Sequence, residues 1–313
     1  MSVPVVDLRA TDVVEQMLHA YGTVGFASLV GHGIDDSLRR EVFAASAAFH
    51  ALPLEQKMAI ELDANHRGYI PIDTSTDRTS TLAVVTKPNQ SASFMMMRED
   101  GPESPDVIAG RFLAGANQWP ELGGFRTVLE RYHDAMCGLG HRIVRLFARG
   151  LGDADGALEH SFAPPTTWLR LLHYPPVPAD APPDLYGSAP HNDFGFITIL
   201  AQDEVGGLQV LDRDGAWIDV PPRSDAFVMN VGDMLHRWSN GRLLSTPHRV
   251  HNRSGRERYS VPFFFDPHVS TVVSPLPCCI DDEHPARFEP IEFEAFLRHE
   301  LTTSYDRHRA DTP

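Results

Sequence analysis

His191-Asn192-Asp193, running on into the apolar stretch Phe194 to Leu200, decides how the second half of this chain is understood. Two potential metal ligands stand two residues apart. On a strand, where side chains alternate with period two, His191 and Asp193 would point to the same side. Phe194 to Leu200 is itself a strand candidate, and similar short runs surround it. Trp168 to Tyr174 is stopped by Pro175-Pro176, and Leu208 to Val210, Trp217 to Val220, Phe227 to Asn230, Leu244 to Val250 and Tyr259 to Phe265 follow. Short strands separated by Gly, Asp, Asn and Pro predict an antiparallel sandwich or barrel.

Upstream the texture is different. Val3 to Leu8 and Gly25 to Val30 are apolar runs, the second closed by Gly31-His32-Gly33. Asp35 is placed to cap a helix that carries Leu38, Val42, Ala45 and Phe49 on one face. Residues 62–122 show weak periodicity, interrupted by Met95-Met96-Met97. Phe125, Val128, Leu129, Tyr132, Met136, Leu139, Ile143, Leu146 and Phe147 then form one broad stripe over about six turns. A helix of that length is expected to back a sheet and to end at Gly150 and Gly152. A last helix carries Phe293, Phe296, Leu297 and Leu301, and the polar tail after Tyr305 is expected to fray. The expected division is a mostly helical region over 1–120, a barrel core with its backing helix over 121–290, and a helix and tail over 291–313, forming one catalytic unit.

Composition narrows the function. The chain has 313 residues, 42% of them hydrophobic and 22% charged, with a formal net charge of -15. That charge disfavours a nucleic-acid backbone as the main partner. No run approaches the roughly 20 apolar residues that span a bilayer, and the N-terminus lacks the basic-then-apolar pattern of a secretory signal, so a cytoplasmic location is expected. The three cysteines, Cys137, Cys278 and Cys279, form neither a disulfide framework nor a CxxC site.

A lone histidine among sixteen says little, but His191 alone is followed two residues later by a carboxylate. There is no HExxH. A second imidazole converging on the pair would complete the two-His-one-carboxylate donor set of non-haem Fe(II) oxygenases. Spacing leaves His236, His248, His251 and His268 as candidates. Arg258-Tyr259-Ser260 adds a second clue, because on a strand Arg258 and Ser260 share a face. A buried guanidinium among Val261, Phe263, Phe264 and Phe265 needs an anionic partner, which is either an internal acid or a dicarboxylic cosubstrate. Tyr174 can add a hydroxyl there.

These residues fall in an order that resembles the isopenicillin N synthase-like family of Fe(II)/2-oxoglutarate-dependent oxygenases. The resemblance begins with Val3-Pro4-Val5-Val6-Asp7-Leu8, Gly25-Phe26 and Gly31-His32-Gly33-Ile34. It continues through Phe49 to Lys57, Gly68-Tyr69 and Asn117-Gln118-Trp119-Pro120. Its diagnostic part is His191-Asn192-Asp193, Gly206 to Val210, Val231-Gly232-Asp233, Trp238 to Arg242, Ser245 to Val250 and Arg258-Tyr259-Ser260. The resemblance implies a mainly β protein with a double-stranded β-helix (jelly-roll, cupin-like) core and flanking N-terminal and central helices. It implies Fe(II) on His191, Asp193 and His248, and 2-oxoglutarate on Arg258 and Ser260 with Tyr174. With O2, the expected reaction is oxidation of a small metabolite (hydroxylation, or desaturation or cyclisation), releasing succinate and CO2. An amino-acid derivative, a peptide or a secondary-metabolite intermediate is the expected substrate. Leu172 stands where many plant members carry Asn, with His173 or an ordered water as the candidate to compensate.

Two other readings compete: an iron oxidase of the isopenicillin N synthase type that does without 2-oxoglutarate, and a non-catalytic small-molecule binder or sensor. Succinate formation and cosubstrate-dependent O2 consumption separate them. A zinc hydrolase is a weaker third reading, tested by metal analysis. For the substrate pocket, the wall is expected from residues 66–98 with Phe194 and Trp238, and Arg98 is the candidate anchor for an acidic group.

Overall fold

The computed structural model describes residues 2–76, 87–178 and 180–304. Residues 77–86, part of the expected pocket wall, and the tail from Tyr305 onward lie outside them. In chain order the elements begin with β1 (Val5–Asp7), α1 (Val13–Thr23), β2 (Phe26–Val30), α2 (Asp36–His50), α3 (Leu54–Met58), β3 (Gly68–Ile70), β4 (Ala92–Met97) and α4 (Pro105–Ile108). Next come α5 (Phe125–Leu151), α6 (Ala157–Ser161), β5 (Thr166–Tyr174), β6 (Ser188–His191), β7 (Ile197–Gln202), β8 (Leu208–Leu211), β9 (Trp217–Asp219) and β10 (Phe227–Val231). The chain closes with α7 (Asp233–Trp238), β11 (His248–Val250), β12 (Arg258–Asp266), β13 (Val272–Val273), β14 (Ile291–Glu292) and α8 (Phe293–Ser304).

Two sheets face one another. The larger has the order β1-β2-β10-β7-β12-β5-β4-β3 and the smaller β6-β11-β8-β9. From β5 to β12 the chain passes back and forth between them, with β8 and β9 forming a hairpin within the small sheet, which is the double-stranded β-helix anticipated from the sequence. The N-terminal region contributes β1 and β2 at one edge of the large sheet and β3 and β4 at the other. Strand β4 is buried along its whole length, so both of its faces are apolar or small and no alternation marks it in the sequence.

Helix α5 packs on the outer face of the large sheet. Leu129, Tyr132, Met136, Ile143 and Phe147 are fully buried, and Leu129, Met136, Ile143 and Phe147 are each worth about 1.5–3 kcal/mol of transfer free energy. Gly140 allows a close approach: a Cβ there would lie 2.6 Å from the Phe265 ring of β12. The helix ends at Leu151, and Gly152 closes it in the left-handed conformation, φ 85°. Asp35 caps α2 as expected, accepting from the Ser37 amide at 2.7 Å. No helix among the described residues is long and apolar enough to cross a membrane.

Between the sheets lies a second, smaller apolar cluster of Phe26, Leu172, Tyr174, Leu208, Val210 and Val250. Because side chains alternate, this cluster identifies the inward faces of β5, β8 and β11. It frames the interior in which the candidate ligands meet.

Candidate active site

His191 is the last residue of β6, and Asp193 lies beyond it in the turn toward β7. The two residues do not share one strand face, as period two had suggested; the turn brings them together. His248, the first residue of β11, is paired directly opposite His191 across the small sheet. Strand pairing therefore supplies the third group that spacing left open. The ligand atoms of His191, Asp193 and His248 all lie within 4.8 Å of one another. Among the described residues this is the one such cluster of His, Cys, Asp or Glu.

Hydrogen bonds decide which atoms face the common point. His191 Nδ1 donates to the Ala189 carbonyl at 2.7 Å, and His248 Nδ1 faces the Thr246 carbonyl at 3.4 Å. Carbonyls only accept, so the protons belong on Nδ1 and each Nε2 presents its lone pair. Those Nε2 atoms lie 3.7 and 3.8 Å from Asp193 Oδ1. The other carboxylate oxygen, Oδ2, accepts from Asn230 Nδ2 at 2.7 Å and from the Thr198 hydroxyl. One edge of the carboxylate is saturated and the other is turned toward two imidazole lone pairs. That donor set fits a divalent iron.

Asp193 is 8% exposed. Burial works to raise its pKa, but the positive charge that the His248 and His191 rings carry when Nε2 is protonated as well, and the bonds from Asn230 and Thr198, outweigh it and hold the carboxyl below its ordinary range. Its backbone is fixed as well, since the Asp233 amide at the start of α7 donates to the Asp193 carbonyl at 2.8 Å. Asp266, at the end of β12, accepts from the Phe196 amide at 2.6 Å and from Trp168 Nε1 at 3.1 Å. It thus pins the turn just after Asp193. Burial pushes the Asp266 carboxyl up to about 7.

Farther along β12, Arg258 is 0% exposed. Its Nε donates to the Gly206 carbonyl at 2.6 Å, Nη1 to Ser260 Oγ at 3.2 Å and Nη2 to Gln202 Oε1 at 3.2 Å. Its guanidinium carbon sits 4.6 Å from the Tyr174 ring centroid. None of these partners is an acid, and Arg258 makes no ion pair among the described residues. The internal salt bridge considered from sequence is absent there, leaving a buried cation suited to an external carboxylate. Ser260 Oγ lies 3.5 Å from the Tyr174 hydroxyl. Leu172 pairs with Ser260 across β5 and β12 and belongs to the inner cluster. His173 points to the opposite face, stacked on Tyr259 with centroids 4.9 Å apart, so it cannot stand in for the missing Asn.

Three pocket residues need correction or relocation. Arg98 is not a free anchor: its guanidinium is paired with Asp100 at 2.9 Å and Asp106 at 2.7 Å. It lines a small cleft with Arg67, Phe112 and His268. Trp238 packs edge-on against Phe196, centroids 5.6 Å apart, and beside Phe162, so it plugs the core under α5. Phe194 is half-buried and meets Phe296 of α8 at 6.4 Å. The remaining candidate histidines are committed elsewhere, His236 to the Leu243 carbonyl, His251 to the Tyr186 ring and His268 to Asp106. Thr198, Asn230, Gln202 and the Gly206 carbonyl were missed by sequence reasoning. An Asn inside the apolar strand Phe227–Val231 was the available signal, because a buried amide needs partners.

The model of the 2OG-Fe(II) oxygenase superfamily matches residues 165–267, and one described as non-haem dioxygenase in morphine synthesis N-terminal matches residues 3–122. The chain is 39% identical over 312 residues to the 2-oxoglutarate-Fe(II) type oxidoreductase hxnY of Emericella nidulans, covering 95% of this chain and 86% of that one. It is 36% identical to clavatol oxidase claD of Penicillium crustosum, covering 95% and 91%. Among solved structures, a full-length Neurospora crassa protein in complex with alpha-KG and thymine superimposes with a TM-score of 0.82 at 28% identity, covering 96% and 97%. The chain belongs to the 2OG-Fe(II) oxygenase superfamily. It is a 2-oxoglutarate-dependent dioxygenase, requiring Fe(II), 2-oxoglutarate and O2 and oxidising a small molecule.

Proposed function

We propose that this dioxygenase holds Fe(II) through His191 Nε2, Asp193 Oδ1 and His248 Nε2. Its cosubstrate's distal carboxylate then rests on Arg258 and Ser260, with Tyr174 packed against the guanidinium. When bound, iron with 2-oxoglutarate and O2 supplies the oxidising power that breaks an unactivated C–H bond. The chain's own part is positioning. Ala189 and Thr246 fix the imidazole tautomers, Asn230 and Thr198 aim the carboxylate, and Gly206 and Gln202 orient Arg258 before any anion arrives. The apolar residues around Tyr174 keep water from that end of the site.

The observation that carries this reading is the division of labour on Asp193, with Oδ2 saturated by donors and Oδ1 facing two imidazole nitrogens. By extension from relatives whose names include a clavatol oxidase, we take the substrate to be a small organic metabolite and its hydroxylation to be the reaction. The test is anaerobic titration of purified protein with Fe(II) and 2-oxoglutarate, followed by assay of succinate. One Fe(II) per chain and iron-dependent succinate release are expected, with both lost in Asp193→Ala. Full iron binding by that variant would sink the assignment. A cytoplasmic location belongs to the same proposal: three unpaired cysteines and a ferrous centre suit a reducing compartment.

A further inference from the structure

Strand β5 carries an arginine whose charge has no counterpart among the described residues. Arg170 shares the face of Leu172 and Tyr174, both members of the cluster between the sheets, whereas Leu169 and Leu171 belong to the core under α5. Its one hydrogen bond among the described residues runs from Nε to Ser93 Oγ at 2.9 Å, across β5 and β4. Ser93 is fully buried, Met95 opposite Arg170 is 3% exposed, and Arg170 itself is half-buried. No acid pairs with it among the described residues, and both Nη groups are uncommitted there.

The strand register locates it. Asn230 and Thr198, which hold Asp193, pair with one another; Thr198 pairs with Phe264, and Phe264 with Trp168. That row runs across the sheet at the level of the candidate metal centre. Ser260, Gln202 and Leu172 form a second row at the level of the candidate cosubstrate anchor. Arg170 lies on β5 midway between the rows, about 7 Å along the strand from each. It sits one strand away, about 5 Å, from β12, which carries Arg258 and Ser260. The guanidinium therefore stands beside the path from anchor to metal, on the β4 side of β12. Its Nε is held by Ser93, which leaves the paired Nη donors to face a planar two-oxygen acceptor.

We propose that Arg170 receives a carboxylate of the primary substrate, and that the substrate is a small organic acid oriented by this contact. The proposal rests on the metal and cosubstrate assignments above. It gives Arg170 a specificity role separate from Arg258.

The test measures affinity of the anaerobic Fe(II)–2-oxoglutarate protein for benzoate, phenylacetate and indole-3-acetate, each against its primary amide. Native protein should bind at least one acid about tenfold or more tighter than its amide, the range expected for a charge-assisted pair. In Arg170→Gln that preference should fall to within about threefold, and Arg170→Lys should retain part of it. The 2-oxoglutarate affinity and melting temperature, measured on the same samples, should stay at native values in both variants. Absence of any acid preference in the native protein overturns the proposal, as does its survival in Arg170→Gln. A matching loss of 2-oxoglutarate affinity would instead make Arg170 part of the cosubstrate anchor and overturn it too. Failure of native protein to bind Fe(II) and 2-oxoglutarate at all is a separate result, and it removes the centre on which the proposal stands.

Discussion

Replacing Asn230 by Leu and Thr198 by Val tests whether side-chain donors aim the Asp193 carboxylate. Both substitutions keep the branching of the side chain, with Leu somewhat bulkier than Asn, while removing the two groups that bond Oδ2. A hydrogen bond to a charged group contributes about 1.5–3 kcal/mol. Part of that is lost equally with and without metal, so only the orienting share reaches the affinity for iron. Groups one step behind a metal ligand commonly change affinity by about 10–100-fold. We expect Asn230→Leu to weaken Fe(II) binding about tenfold and the double variant by more, read by anaerobic calorimetry. The 2-oxoglutarate affinity at saturating iron should be unchanged, because Ser260 and Gln202 lie farther along β12 and β7, in the other row, and Arg258 lies two residues beyond it. The rival account is that the backbone alone sets the carboxylate, through the Asp233 amide bonded to the Asp193 carbonyl. Native iron affinity in a folded double variant would establish that rival and refute the reasoning here.

Arg258→Lys should raise the KM for 2-oxoglutarate at least about tenfold with iron binding intact, since one ammonium cannot reproduce bonds to Gly206, Ser260 and Gln202 together; initial rates of succinate formation check it. Asp266 has its folded carboxyl pushed up to about 7 by burial, so the folded state binds more protons than the unfolded state between the ordinary carboxyl pKa and about 7. Stability should therefore fall as pH rises through that window, and Asp266→Asn should flatten the slope in urea unfolding at about pH 5 and about pH 8. Gly140→Ala would set a Cβ 2.6 Å from the Phe265 ring and should lower unfolding free energy by about 1–3 kcal/mol, measured by denaturant titration. Arg98→Met should leave both KM values unchanged while lowering the melting temperature, because its partners Asp100 and Asp106 are structural.

Legibility followed the range of the physics involved. Helix α5 was plain because its stripe is a local pattern, and Asp35 because a cap is settled within a few residues. His191 with Asp193 was visible from spacing, although the turn rather than a shared strand joins them. His248 was not separable from its rivals by residue-level reasoning, since it is delivered by pairing of β11 with β6, a contact far apart in the chain that no local signal encodes. The ordered family motifs supplied what spacing could not. Strand β4 stayed hidden because burial on both faces erases alternation. Arg98 was misjudged although Asp100 stands two residues along; the adjacent acid was the clue that its charge was already answered.

Contrasting arginines show what the interior is arranged to accept. Arg98 is answered by two carboxylates, and the buried Arg67 by the carbonyls of Asn65, Arg98 and Leu113. Arg258 is as deeply buried as Arg67 but its terminal nitrogens meet only a hydroxyl and an amide oxygen, and Arg170 meets a single serine among the described residues. Removing a charge from water costs several kcal/mol unless a counterion and hydrogen bonds offset it. An acid from the chain would have offset that cost in the free protein and would also have filled the place of the ligand. Leaving the cation unanswered transfers the compensation to the moment of binding, when one carboxylate restores it. The same logic governs Asp193, whose Oδ2 takes the donors the chain provides while Oδ1 is turned to the two imidazoles. A dianionic cosubstrate and a divalent metal are of opposite sign, so each lowers the electrostatic cost of the other's site, and occupation of the two is expected to be mutually favourable.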